Sequence, residues 1–173
     1  MGEQLGVLDT RFRTALRRLA AAGRITRVHR PVSTDLELAG LLKRHDGDRA
    51  LLFTDVAGST LPVVGNLLAS PANVEAALGL DRHGIRAAMG RALTDPVPPV
   101  TVADPPCQRV VHRDPDAIDL GALLPVLRHA PGDGGRFVTS GVVVARDPET
   151  GVHNASYHRM QLLGGGNRTA IKL

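Results

Sequence analysis

Five prolines fall within the twelve residues DPVPPVTVADPP at positions 95–106. Proline fixes φ, lacks an amide donor and pushes the residue before it away from helical geometry. A segment this rich in it continues neither an α-helix nor a central strand. It therefore divides the chain into residues 1–95, a linker at 96–106, and residues 107–173. The full 173 residues, 43% of them hydrophobic, suffice for one compact domain, or for one domain plus part of another.

Before the linker, helical and strand-like patterns alternate. Asp9 is expected to cap a helix with Phe12, Leu16, Leu19 and Ala20 on one face, which Gly23 ends. RITRVHR (24–30) predicts a short strand, Pro31 breaks it, and Ser33-Thr34-Asp35 opens a second helix carrying Leu36, Leu38, Leu41 and Leu42. LLFTDV (51–56) and LPVVGNLLAS (61–70) predict two further strands around a Gly58-Ser59 turn. Pro71 starts a third helix, and a fourth runs from Arg82 to Leu93. The pattern is that of an α/β layer.

After the linker, CQRVVHR (107–113) predicts a strand and Ile118 to Leu124 a short helix. PGDGG (131–135) is a loop. FVTSGVVVA, VHNASYHRMQLL and RTAIKL then predict three strands joined by the DPETG and GGGN turns, an antiparallel meander. The expected class is α+β, a layered N-terminal part followed by a β-rich one.

Composition removes several functions. Three Phe, one Tyr and no Trp leave almost no stacking platform for single-stranded nucleic acid. The net charge of +4 comes mainly from arginines spread along the chain, so no nucleic-acid partner is expected. A single cysteine, Cys107, excludes an internal disulfide and a cysteine-based zinc site. No apolar run approaches the ~20 residues of a membrane span. Arg11, Arg13, Arg17 and Arg18 exclude a signal-peptide core, so a soluble cytoplasmic protein is expected.

The densest polar stretch is VHNASYHRMQ (152–161). On a regular strand Asn154, Ser156 and His158 share one face, while His153, Ala155, Tyr157 and Arg159 share the other. An amide oxygen, a hydroxyl, an imidazole and a guanidinium so close together could hold a phosphate-bearing cofactor with a divalent ion; they could equally form a solvated hairpin face. The glycines at 164–166 lack a following helix and a Lys-Ser/Thr pair, so they mark a turn and not a phosphate loop.

Residues 137–173 resemble the cofactor-binding segment of the UbiD family, reversible (de)carboxylases that use prenylated FMN. The resemblance rests on the strand 138–145, the DPETG turn, the pattern Asn154-x-Ser156-x-x-Arg159-Met160-Gln161 and the NRTAIKL ending. Leu124-Pro125, His129 and Asp133-Gly134-Gly135 resemble the approach to that segment. Residues 1–95 are compatible with the family's N-terminal domain without a specific motif.

The resemblance implies that the strands after the linker begin a split β-barrel-like flavin-binding domain. It implies that Asn154 ligates a divalent ion, manganese with potassium as a further candidate, bridging to the cofactor phosphate. Tyr157 and His158 would line the prenylated FMN, with Ser156 nearby, and Lys172 and Leu173 would contact it from the next strand. Arg159 would be both cofactor-binding and catalytic, placing the substrate carboxylate. The implied reaction is non-oxidative loss of carbon dioxide from an aromatic or α,β-unsaturated acid. A flavin prenyltransferase would supply the cofactor, and the full-length protein would be a homo-oligomer. In the family the other metal ligands, a histidine and a glutamate, and the proton-donating acid lie downstream of this segment. The chain is therefore expected to be the N-terminal portion of such an enzyme and inactive alone. The competing expectation is a non-catalytic binding or assembly module of the same fold; a different split-barrel flavin protein is a third.

One conflict is geometric. Regular alternation sends Asn154 and Arg159 to opposite faces, while the resemblance asks both to meet one cofactor. Either a bulge shifts the register between them or the cofactor wraps an edge of the sheet; a bulge near Tyr157–His158 is expected.

Overall fold

The computed structural model describes residues 8–98 and 100–171. They fall into two compact units, each discontinuous in sequence. One takes the chain up to Val28, Leu42–Phe53 and Val64–Val111, and the other takes His29–Leu41, Thr54–Val63 and the chain from His112 onward.

In the first unit α1 (Phe12–Ala21) precedes strand β1 (Ile25–Val28), which pairs in parallel with β2 (Ala50–Phe53), Ile25 opposite Ala50 and Val28 opposite Phe53. A short third strand, β3 (Val63–Gly65), gives the sheet order β1-β2-β3. The chain between β1 and β2 contains α2 (Glu37–Arg44), so the parallel pair has the helical crossover it requires. Ala50, Leu51 and Phe53 are buried along β2, a strand apolar on both faces. Helix α3 (Pro71–Leu78) packs on α1, where Leu19 and Ala77 are buried.

The bounds of α3 follow from local chemistry. Ser70 is its N-cap and accepts from the Asn73 N–H, Pro71 occupies the first turn, and Gly79 closes it at φ 69°, where a side chain would be strained. Arg18 adds hydrogen bonds to the last carbonyls, Ala77 O at 3.3 Å and Leu78 O at 3.1 Å. Asp81 caps α4 (Arg82–Thr94) through the Gly84 N–H at 2.7 Å.

Three expectations for this half need correction. Asp9 does not cap α1: the N-cap position is Arg11, and the Asp9 carboxylate instead pairs with the Arg11 guanidinium and N–H. The strand expected over 61–70 shrinks to three residues because Asn66 turns left-handed at φ 59°, its amide donating to Leu42 O at 2.7 Å. The strand expected over 107–113 is missing: Pro106–Gln108 form a 3-10 turn, and Val110 and Val111 that follow are exposed.

In the second unit Val32 and Val56 form a parallel bridge, Asp35 bridges to Arg128 and Leu127 to Phe137. Val32, Leu38, Val56, Val126 and Leu127 are its buried apolar residues. At the start of α2, the Glu37 carboxylate accepts from the Ser33 N–H at 2.9 Å and the Arg30 guanidinium at 2.6 Å. Asp119 caps the single turn α5 (Leu120–Leu123).

The remaining strands are β4 (Phe137–Val138), β5 (Val142–Arg146), β6 (His153–Tyr157), β7 (Met160–Leu162) and β8 (Thr169–Ile171). They form not one meander but two antiparallel sheets, a β5-β6 hairpin and a three-stranded β4-β7-β8. What reads as one strand in each of two places is broken, after Val138 and after Tyr157. The mixed α+β class stands; the strands among the described residues close no barrel.

Candidate functional site

The second break fixes where the polar residues go. In the hairpin Val142 lies opposite Tyr157, Val143 opposite Ser156 and Ala145 opposite Asn154. The hairpin pairing ends at Tyr157, although the His158 N–H still reaches Gly141 O at 3.2 Å. From Met160 the chain belongs to the other sheet, with Met160 opposite Val138 and Ile171, and Gln161 opposite Phe137 and Ala170. His158 and Arg159 are thus the joint between two sheets. A change of sheet breaks the alternation between Asn154 and Arg159, where a bulge was expected.

The first break has its own cause. Gly141 lies so close to the Met160 side chain that a Cβ there would meet Met160 Cε, and its carbonyl is the one that receives His158. Small size at 141 lets the hairpin start beside the joint.

A cavity of about 520 Å³ opens at the joint, lined by Phe137, Tyr157, His158, Arg159, Gln161, Ala170 and Ile171. Its volume lies within the range of small-molecule sites, and an apolar lining with a few polar groups is the usual composition of one. Arg159 places its Cζ 4.3 Å from the Phe137 ring centroid, and its Nη2 lies 3.6 Å from Asp133 Oδ1. Ser156 Oγ and His158 Nε2 are 2.8 Å apart, which restrains the imidazole from two residues back, on β6.

Asn154 lines a different cavity, also of about 520 Å³, with Ala145, Arg146, Asp147, Pro148, Glu149 and Val152. The Asp147 carboxyl is held below the usual carboxylate range by hydrogen bonds from the Thr150 and Glu149 N–H groups of the DPETG turn. Backbone N–H groups do the same to Asp133: Ala130 first, then His129, with the Arg159 charge adding to them. In that loop His129 Nδ1 is buried without a hydrogen-bond partner among the described residues.

The structure therefore gathers Tyr157, His158 and Arg159 round one cavity and keeps Ser156 in contact with it through His158. It does not bring Asn154 to the same cavity. Lys172 and Leu173 lie outside the described residues. Among those residues no group of three or more His, Cys, Asp or Glu side chains is placed to hold a metal ion. One amide oxygen is far short of the six or more ligands of a hard cation, so the described residues alone do not make a manganese or potassium site.

Phe137 and Asp133 were not among the candidates. Both reach Arg159 across more than twenty positions of sequence, and a single sequence carries no sign of such a pairing. The nearest signal is scarcity: Phe137 is one of three phenylalanines, set two residues after a glycine-rich loop.

Residues 16–93 match the N-terminal domain of 3-octaprenyl-4-hydroxybenzoate carboxy-lyase, and residues 99–173 match its Rift-related domain. The anhydromevalonate phosphate decarboxylase of Methanothermobacter thermautotrophicus is 34% identical over 142 residues, 82% of this chain and 32% of that protein. An evolved dimeric form of the UbiD-class enzyme HmfF from Pelotomaculum thermopropionicum, solved in complex with prFMN, superposes with a TM-score of 0.84 at 34% identity, covering 93% of this chain and 38% of that one. The apo 3,4-dihydroxybenzoic acid decarboxylase of Klebsiella pneumoniae superposes with a TM-score of 0.83 at 27% identity, over 96% of this chain and 37% of that one. The chain spans about a third of the length of these relatives. No helix among the described residues is long and apolar enough to cross a membrane.

Proposed function

The chain belongs to the UbiD carboxy-lyase family, and from that premise we propose that it is the N-terminal portion of a non-oxidative decarboxylase using prenylated FMN. Its substrate would be an aromatic or α,β-unsaturated carboxylic acid. The observation that carries this reading is Arg159, more than half exposed on the wall of the cavity at the joint between the two sheets. A guanidinium there offers a fixed positive charge and a planar fork of donors, which matches a carboxylate in shape and sign.

The cavity suits a planar cofactor with polar edges. Phe137, Ala170 and Ile171 give apolar surface, while Tyr157, His158 and Gln161 give hydrogen-bonding groups. In this proposal Tyr157 and His158 line the flavin, Ser156 steadies His158, and Lys172 and Leu173 contact it from the following strand. The bound cofactor would supply the electron sink for loss of carbon dioxide; the protein's residues orient and stabilise charge. Arg159 would hold the substrate carboxylate and keep it from rotating away. Asn154 would give one ligand to a manganese ion, with potassium as a further ion, and the other ligands and the proton donor would come from sequence beyond this segment. Residues 1–95 would form the N-terminal domain, 96–106 the linker and 107–173 the start of the cofactor domain. A flavin prenyltransferase supplying the cofactor and a homo-oligomeric full-length enzyme complete the proposal.

A second reading is favoured by the separation of Asn154 from Arg159 into two cavities: a binding or assembly module of the same fold without catalysis. One substitution separates the two. In a protein that continues as its relatives do, Arg159→Ala is expected to cut decarboxylation by about 10²-fold or more while the fold is kept. Undiminished carbon dioxide release from that variant would remove Arg159 from the mechanism, and release by neither protein would favour the module.

A further inference from the structure

The loop 129–135 is built around one carboxylate whose two oxygens do different things. Asp133 Oδ2 accepts the Ala130 N–H at 2.9 Å and the His129 N–H at 3.2 Å, which fixes the side chain to its own loop. Oδ1 remains and faces Arg159 Nη2 at 3.6 Å. The carboxylate is largely shielded, 19% exposed, whereas the arginine side chain is 58% exposed. An exposed ion pair is ordinarily weak because two long side chains must be ordered to make it. Here one partner is already immobile, so that part of the ordering cost is met before the pair forms.

One face of the guanidinium is also occupied. Arg159 Cζ lies 4.3 Å from the Phe137 ring centroid, a stacking distance for a cation on an aromatic face. Phe137 is itself anchored, its N–H bonded to Leu127 O at 2.9 Å and its position paired with Gln161. Gln161 closes the arrangement: its Nε2 donates to Gly134 O at 2.9 Å, tying the loop to β7, the strand that begins directly after Arg159. The carboxylate faces only Nη2, at 3.6 Å, and so leaves the Nε–H and the Nη1 donors of the guanidinium to a ligand.

We propose that Asp133 and Phe137 are positioning residues for Arg159, fixing its guanidinium by charge on one side and by ring stacking on another so that its donors stay available to a carboxylate in the cavity. The ligand part of this statement rests on the function proposed above; the positioning part does not. The alternative is an adventitious surface pair that orders nothing.

The test is side-chain Nε–Hε NMR of the arginines in the 173-residue chain, with Arg159→Lys identifying the signal. Asp133→Asn keeps an oxygen that can accept from Ala130 and His129 and removes the charge; it is expected to speed exchange of the Arg159 Hε with water about two- to fivefold, the range for a modest ion pair. Asp133→Glu restores the charge and should return the exchange rate toward that of the unsubstituted chain. Phe137→Leu should move the signal downfield by removing the ring current. Backbone amide spectra check that each variant is folded. Should one unfold, raising the salt concentration on the unsubstituted chain must speed the same exchange, since screening weakens the pair. An Arg159 signal indifferent to Asp133→Asn, to Phe137→Leu or to salt overturns the proposal. Benzoate serves as the probe carboxylate: a signal that responds to the substitutions but ignores benzoate sinks the functional reading and leaves the positioning intact.

Discussion

The Asn73 side chain makes three hydrogen bonds while fully buried, and truncating it should destabilise the protein measurably. It is fully buried, in the first turn of α3. Its Oδ1 accepts from Arg24 Nε at 2.8 Å, and its Nδ2 donates to Asp48 O at 3.0 Å and to Asn66 O at 2.9 Å. One amide thus joins the start of α3 to the residue before β1, the turn before β2 and the left-handed bend after β3. Asn73→Ala removes three hydrogen bonds worth about 1 kcal/mol each, so a loss of about 3 kcal/mol is expected, although Asp48 O keeps Arg24 Nη2 at 3.5 Å and Asn66 O keeps the Ala69 N–H at 3.3 Å. For a chain of this length that corresponds to a fall in Tm of roughly 6–12 °C. Thermal unfolding followed by far-ultraviolet circular dichroism reads it directly. The Arg24→Ala variant and the double variant complete a cycle, in which a coupling of about 1 kcal/mol is expected for groups in one network. A Tm within about 2 °C of the unsubstituted chain would refute the reasoning, because it would mean that water or relaxation replaces the network at little cost.

Two further outcomes follow from the same geometry. A Cβ at Gly65 would lie 2.5 Å from Leu42 Cδ2 and 2.6 Å from Cδ1, so Gly65→Ala should destabilise by about 1–3 kcal/mol in urea unfolding; a neutral result would show that Leu42 moves aside freely. The Glu37 carboxyl is held below its usual range, first by the Ser33 N–H and then by Arg30. Its stabilisation is therefore complete above the unfolded value of about 4.3 and is lost as pH falls through the lower folded value. Glu37→Gln should be less stable than the unsubstituted chain at pH 7, with the difference shrinking in acid; a difference independent of pH would discount that pairing.

The parts of the fold that sequence makes legible are those set by neighbours in the chain. Ser70-Pro71, Gly79 and Asp81 mark the ends of α3 and the start of α4, and each acts through a local hydrogen bond or a local φ. Asp9 looked equivalent to Asp81 but has Arg11 two residues on, and the ion pair takes the carboxylate that would have capped α1. Val110 and Val111 have the composition of a strand, yet they are exposed, since apolar residues alone supply no partner strand. The two sheets look like one meander in sequence because the alternation on either side of His158–Arg159 is regular, and whether a ladder continues depends on which strand lies alongside. The parity conflict between Asn154 and Arg159 did locate that break from sequence. It could not say that the break moves the chain to another sheet, nor that Asp133 and Phe137 wait there for the arginine.

In the proposed function the joint between the two sheets is a flavin-binding wall. Titration of this chain with FMN, followed by backbone amide NMR, tests it most directly. Concentration-dependent shifts are expected at Phe137, Tyr157, His158, Arg159, Gln161, Ala170 and Ile171, the residues that line the joint cavity. Shifts confined to other surfaces, such as the apolar cleft of Val74, Ile85 and Met89 beside α3 and α4, or no shifts at millimolar FMN, would contradict it.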